Sequence, residues 1–234
     1  MSLRLVDNVL RMPPFASADP DVLMEEANHR IANNLSLVAG LVRLQASSLA
    51  KAGQTMSASE VCGLLTEVGN RIETVGQLHR LLAEAGRRPE LELGAYLCDI
   101  ARSVVSSLAF EGRARLVFDL QRVCMVPSHH ALPIGLIVGE LVTNALKYAH
   151  PAGVIGVVGI GCATDRTGTL LIEVSDDGVG LPEDFDPRSS GGLGMRLIRS
   201  LAQQLSAELS FHQTDLSLTV RLRLPRTELR VAEA

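Results

Sequence analysis

Glu140, Asn144 and Lys147 stand four and then three residues apart in the string Glu140-Leu141-Val142-Thr143-Asn144-Ala145-Leu146-Lys147, so a helix would carry all three on one face. Mg²⁺ takes hard oxygen ligands and keeps several waters, so an Asn carbonyl together with phosphate oxygens would make a suitable shell. Glu140 would then hold a metal-bound water, and Lys147 would neutralise a phosphate. Downstream, Asp176-Asp177-Gly178-Val179-Gly180 closes an apolar strand, and Gly191-Gly192-Leu193-Gly194 precedes a helical pattern whose first N–H groups could receive phosphate oxygens. Far upstream lies His29. Glu25, His29, Asn33, Ser36, Gly40 and Arg43 form a helical stripe without a large apolar residue, which turns the imidazole toward solvent. Each feature also has a plainer reading: polar residues on a wet helix face, a turn after a strand, a glycine run before a helix, a surface histidine. Their joint occurrence is what points to phosphate chemistry.

These residues need elements to position them. At 234 residues, with 47% hydrophobic and 21% charged, the chain is long enough for one large domain or two small ones. With no Trp and few other aromatics, its cores must be built from Leu, Val, Ile and Ala. A formal charge of -4 gives no reason to expect nucleic acid or an anionic membrane as partner. Cys62, Cys98, Cys124 and Cys162 form no C-x-x-C pair, so the expectation is four reduced, mostly buried thiols in a cytosolic protein. The start lacks a signal-peptide pattern. The most apolar stretch, Ala131 to Leu146, contains Glu140 and is too short to span a bilayer comfortably. A soluble, cytoplasmic protein follows as the expectation.

Residues 1–18 read as a loose arm. Asp19-Pro20-Asp21 makes a helix start, and Met24, Asn28, Ile31, Leu35, Val38, Val42, Gln45 and Leu49 follow at alternating spacings of four and three, a heptad seam. Ser57-Ala58-Ser59-Glu60 is a capping box for a second helix, whose seam runs Val61, Leu65, Val68, Ile72, Val75, His79 and Leu82. His79 therefore belongs to a core or interface. Residues 19–86 make a helical hairpin too apolar to hide its seams alone, and burial predicts a homodimer built as a four-helix bundle.

From residue 91 to 227 the pattern changes. Leu91 to Ser107, Ser128 to Ala149 and Gly194 to Leu205 read as helices. Arg115 to Leu120, Val123 to Val126, Val154 to Cys162, Thr169 to Ser175, Glu208 to His212 and Leu218 to Leu224 read as strands. The fold class is α+β: a helical hairpin, then a two-layer sandwich with helices on one face of a mixed sheet.

The string His29-Arg30-Ile31-Ala32-Asn33-Asn34-Leu35, followed by the three boxes, resembles the two-component sensor histidine kinases, in the subfamily with an H-R-x-x-N-N-L phosphoacceptor. The resemblance runs from about Asp19 to Pro225. It implies a GHKL-type ATPase domain using ATP and Mg²⁺, with His29 as phosphoacceptor. It assigns Asn144 to Mg²⁺, Glu140 to a metal-bound water and Lys147 to phosphate. Asp176 would accept a hydrogen bond from the adenine amino group, Gly178 and Gly180 would let the backbone approach the base, and Gly192 and Gly194 would hold phosphates. Leu181 to Ser190 would be the ATP lid. A response-regulator receiver domain would be the partner, with input from a separate sensor protein or the short arm, because the length leaves no room for a sensor domain.

Three departures are visible. Arg30 stands where many such kinases carry an acidic residue, leaving Glu26, with Glu25 beside it, as the orienting carboxylate. Gly139 stands where a common variant of the box has Asn. The chain also lacks the Trp, and the His beside Glu140, of the H-W-E relatives. A phosphotransfer protein with a degenerate ATPase-like domain is the alternative, although the complete run from Glu140 to Gly194 speaks against it. An anti-sigma-factor serine kinase would share the ATPase domain but would have no use for the hairpin.

Overall fold

A computed structural model describes residues 39–40, 42–43, 57–84, 90–108, 110, 112–120, 124–150 and 154–225. The chain divides into a unit of Met1–Gly40, of which Ala39 and Gly40 are described and helical, and a unit of Leu41–Ala234. The arm, His29, Glu26 and most of the first heptad helix lie outside the described residues. Everything below belongs to the second unit.

Helix α1 (Ala58–Glu84) starts directly after Ser57, whose carbonyl accepts from Val61 N at 3.1 Å, where the capping-box string places the start. Its two halves differ. Val61, Leu65 and Ile72 are 41%, 66% and 41% exposed, whereas Val75 and Leu78 are buried. The buried half packs on helix α3 (Ser128–Tyr148). Two small residues of α3 permit that approach. A Cβ on Gly135 would meet Tyr96 Oη at 2.6 Å and Leu78 Cδ2 at 3.2 Å, and one on Gly139 would touch Thr74 Cγ2 at 3.8 Å. Gly139 thus stands at a buried helix contact, where a Cβ would already reach van der Waals distance of α1 and of Ile100 and Val104.

The segment expected as a helix from Leu91 is a strand followed by a helix: β1 (Glu90–Glu92), then α2 (Leu93–Ser107). Glu92 makes the break. Its carboxylate accepts from Gly94 N at 2.9 Å and Ala95 N at 2.7 Å, capping α2, while Leu93 N donates to Cys124 O at 2.8 Å. That bond draws β1 against β3 (Met125–Pro127) as an antiparallel pair apart from the main sheet.

The main sheet contains β2 (Ala114–Leu120), β4 (Gly156–Thr164), β5 (Leu170–Asp176), β6 (Glu208–Thr214) and β7 (Ser217–Leu224), in the order β2-β4-β5-β7-β6. Only β2 with β4 is parallel, so the sheet is mixed, as expected. Period-two alternation puts Val158, Ile160 and Cys162, then Leu170, Ile172 and Val174, then Val220, Leu222 and Leu224 on one buried face. They pack under α2, α3 and α4 (Leu193–Gln204), whose Leu97, Ile100, Ile134, Ile137, Leu197 and Ile198 complete the aliphatic core. On the other face Glu173 pairs with Arg221 across β5 and β7. β4 begins two residues later than its apolar run: Val154 and Ile155 are 49% and 65% exposed. Of the thiols, Cys124 and Cys162 are buried, Cys98 is half-buried and Cys62 is exposed, so the expectation of mostly buried thiols holds for two of four; all are free. No helix among the described residues is long and apolar enough to cross a membrane.

Candidate nucleotide site

The last half of α3, the turn after β5 and the first turn of α4 converge on one region. Glu140 and Gly194 are in direct contact: a Cβ on Gly194 would stand 2.4 Å from Glu140 Oε2. Four residues along, the Asn144 amide Nδ2 lies 4.0 Å from Met195 Sδ on α4. Lys147 is exposed one turn farther on. The spacing that suggested one helix face therefore delivers two of its three residues against the glycine box and its neighbour Met195, and leaves the third exposed to solvent.

The aspartate turn is fastened to the end of the same helix. Val179 N donates to Ala149 O at 2.9 Å, and a Cβ on Gly178 would lie 2.3 Å from that oxygen. Gly178 is thus needed for the close approach of the turn to α3. Asp176 is half-buried, with Oδ1 accepting from Gly178 N at 3.1 Å. Burial pushes its carboxyl above the ordinary value, opposed by that N–H. Asp177 goes the other way. Burial would raise it, but Val157 N at 2.8 Å and His150 Nε2 at 2.6 Å hold it below the usual range. The two adjacent carboxyls thus have separate uses: Asp177 ties the turn to β4 and to His150, and Asp176 stays half open.

Gly178→Ala should accordingly loosen the turn. Overpacking of this kind costs about 1–3 kcal/mol. A lower denaturant midpoint with an unchanged slope would register it, and an unchanged midpoint would mean that the turn tolerates displacement from α3.

The expected lid is organised by its own polar groups. Asp186 accepts from Arg188 N at 2.9 Å and from the Ser189 hydroxyl at 2.6 Å, while Asp186 N donates to Ser190 Oγ at 2.9 Å. Arg199 of α4 donates to Pro187 O at 3.1 Å and Ser190 O at 2.8 Å. At its start, Gly180 has φ +75 and lies against Gln213, whose Oε1 accepts from Leu181 N at 2.8 Å. Phe185 rests against Phe211, with ring centroids 6.0 Å apart. At its end, Gly191 has φ +97, Gly192 is open to solvent, and no side chain caps α4. The first amides of α4 are therefore not taken up by a side-chain cap.

For a metal, no group of three or more His, Cys, Asp or Glu side chains clusters among the described residues. Glu140 and Asn144 supply one carboxylate and one amide, the sparse protein share that Mg²⁺ takes when phosphates complete its shell. The donor set fits. Sequence reasoning missed several neighbours: His150, Gln213, Arg199, Met195, and above all Arg71 of α1. Arg71 donates from Nε to Glu140 Oε1 at 2.8 Å and from Nη2 to Oε2 at 3.1 Å. A cavity of about 240 Å³ opens beside Phe110, Arg113 and Val154; Lys147 and His150 line it, whereas Glu140, Asn144 and Asp176 do not.

Two family models match the chain. One, described as histidine kinase, covers residues 26–108, and the other, described as histidine kinase-, DNA gyrase B- and HSP90-like ATPase, covers residues 129–228. The chain belongs to the histidine kinases. Among curated relatives, blue-light-activated histidine kinase 2 of Erythrobacter litoralis is 30% identical over 92% of this chain and 60% of its own length. The sensor histidine kinase PdtaS of Mycobacterium tuberculosis is 30% identical over 81% of this chain and 35% of its own. This histidine kinase chain thus spans between about a third and three-fifths of those relatives. Among solved structures, the Erythrobacter litoralis blue-light activated histidine kinase superposes with a TM-score of 0.65 at 29% identity, over 89% of this chain and 60% of that one. Its isolated histidine kinase domain gives 0.61 at 27% identity, over 86% and 98%. The helical region followed by a sheet-based ATPase domain is shared with them.

Proposed function

We propose that the chain is the core of a histidine kinase that takes the γ-phosphoryl group of ATP onto His29, releasing ADP, and passes it to an aspartate of a response-regulator receiver domain in the cytoplasm. The observation that carries this reading is the assembly around α3: Glu140 touching Gly194 at one level, and the Asp176 turn fastened to Ala149 at the other. Phosphoryl transfer asks mainly for positioning and charge neutralisation. Asp176 accepts from the adenine amino group. The uncapped first turn of α4 and Lys147 meet the phosphates. Asn144 and, through a water, Glu140 would hold Mg²⁺, which when bound would neutralise charge on the phosphate oxygens. The lid from Leu181 to Ser190 closes over the nucleotide and excludes water. His29 supplies the imidazole nucleophile, with Glu26 orienting it. Residues 19–86 form the dimerising and phosphotransfer hairpin and residues 91–227 the catalytic domain.

The test is incubation with γ-labelled ATP and Mg²⁺, then acid and base treatment. Acid-labile, base-stable label is expected from phosphohistidine. Failure to bind nucleotide or to take label would favour the phosphotransfer alternative, in which the ATPase-like domain is degenerate.

The homodimer rests on the exposed half of α1. Val61, Leu65 and Ile72 share the seam and remain open to solvent on a single chain. In a four-helix bundle a second hairpin covers them. A chain with Leu65→Glu and Ile72→Glu would bury two carboxylates there, at a cost of several kcal/mol each. Light scattering should find it monomeric and label incorporation should vanish, while a Leu91–Pro225 fragment still binds ATP. A variant that stays dimeric and active would remove the bundle.

A further inference from the structure

We infer that Arg71 is a latch: through it the hairpin helix α1 holds the metal end of the nucleotide site, so that docked helix and Mg²⁺-nucleotide compete for Glu140. The inference rests on the nucleotide-site reading above and adds a regulation of that site.

The geometry is specific. Arg71 presents Nε and Nη2 side by side to the two oxygens of Glu140, at 2.8 and 3.1 Å, a bidentate pair. Both side chains are largely withdrawn from water, at 14% and 11% exposure. Nη2 also stands 3.3 Å from where a Gly194 Cβ would be, which places the guanidinium against the first turn of α4. The pair does not stand alone. One turn along α1, Thr74 lies over Gly139, and Leu78 lies over Gly135. Between them, Gln77 Oε1 accepts from the Ser103 hydroxyl of α2 at 2.8 Å. Residues 71–78 thus form one docking face on the catalytic domain, and Arg71 is its tip inside the site.

Electrostatics makes the two occupants exclusive. A Mg²⁺-bound water requires a Glu140 oxygen that Arg71 now engages. It would also bring a divalent cation beside a guanidinium poorly screened by solvent. Binding of Mg²⁺-nucleotide must then loosen the docked helix, and by reciprocity docking must weaken Mg²⁺-nucleotide binding by the same factor. Metal-free nucleotide differs, because its phosphates attract Arg71 instead of opposing it.

The test measures ADP affinity of the full chain by calorimetry, with Mg²⁺ and with EDTA, for wild type, Arg71→Ala and Arg71→Lys. The latch predicts Mg²⁺-ADP binding about tenfold tighter in Arg71→Ala, typical of such couplings. Arg71→Lys should fall between, since a lysine cannot make the two-pronged contact. With EDTA the ranking should vanish or reverse. In wild type, adding Mg²⁺-ADP should speed amide exchange over residues 71–82, a readout that needs no variant. An unchanged ratio of the two affinities together with unchanged exchange would reduce Arg71 to a structural tie and overturn the latch. Weaker Mg²⁺-ADP binding in Arg71→Ala would make it a phosphate ligand and overturn it equally. Absence of any nucleotide binding in wild type would overturn the nucleotide-site reading and the latch together, a pattern distinct from both.

Discussion

A His29→Ala chain incubated with γ-labelled ATP and Mg²⁺ should take up no label while binding ATP as tightly as wild type. The residues proposed to hold nucleotide, from Glu140 to Gly194, lie in the sheet-based domain, and His29 lies far upstream in the chain. Removing the imidazole therefore removes the acceptor and leaves the nucleotide contacts in place. Loss of rate should be complete, because no neighbouring group replaces an absent nucleophile. Three of the five other histidines are poor substitutes, whereas His129 and His212 are exposed and serve as the positions to check for stray label. His79 is half-buried on α1, His130 is buried at the start of α3, and His150 is engaged by Asp177 at 2.6 Å. The measurement pairs labelled protein on a gel with calorimetric ATP affinity. Label persisting in the variant would show that the acceptor is elsewhere, even with the ATPase domain intact. Loss of ATP affinity would show that His29 acts through folding.

Legibility in the sequence followed the range of each interaction. β5 alternates Leu170, Ile172 and Val174 on its buried face, and α3 runs unbroken from Ser128, so both could be read from local period. The sandwich class and its mixed sheet follow from such segments. β1 could not be read: three residues have no period, and Glu92 both ends the strand and caps the helix that absorbs it. Val154 and Ile155 look like strand but precede it, because β4 starts where Gly156 N bonds back to Arg113 O.

The site divides in the same way. The shared placement of Glu140 and Asn144 against Gly194 and Met195 is legible because one helix spaces them. Gly178 was singled out for backbone approach to a base, and its closest contact is Ala149, on a segment that local spacing says nothing about. Arg71 was invisible. It neighbours the seam position Ile72 without belonging to the seam, and its partner is 69 residues away along the chain. An ion pair of that separation leaves no trace in hydrophobic period. His150 escaped for the same reason, since its partner Asp177 is 27 residues on.

Asp176→Asn should separate fold from function. The variant keeps an oxygen for Gly178 N, now 3.1 Å from Asp176 Oδ1, so the turn retains its internal bond. It replaces the other oxygen with an NH₂ group, which would face the adenine amino group donor to donor. A hydrogen bond to a charged acceptor contributes about 1.5–3 kcal/mol, so ATP affinity should fall by roughly 10- to 100-fold. Preference for ATP over GTP should go with it. Stability should move the other way. Burial holds the folded carboxyl above its ordinary value of 3.8, so the folded state binds that proton more tightly than the unfolded chain does. The stabilisation from that proton is complete below the unfolded value and is lost as pH rises through the raised folded value. At neutral pH wild type therefore carries an ionised, half-desolvated carboxylate that the amide relieves. The nucleotide-free variant should melt no lower than wild type at pH 7, and any advantage should shrink as the solution is acidified toward the carboxylate range. ATP binding by wild type should weaken over that same acid range, because protonation removes the acceptor, and the variant's residual binding should not follow it. Unchanged ATP affinity and base preference in Asp176→Asn would detach the aspartate turn from adenine. Asp176 would then be left with the bond from Gly178 N, which gives no reason for a carboxylate to remain half-buried there.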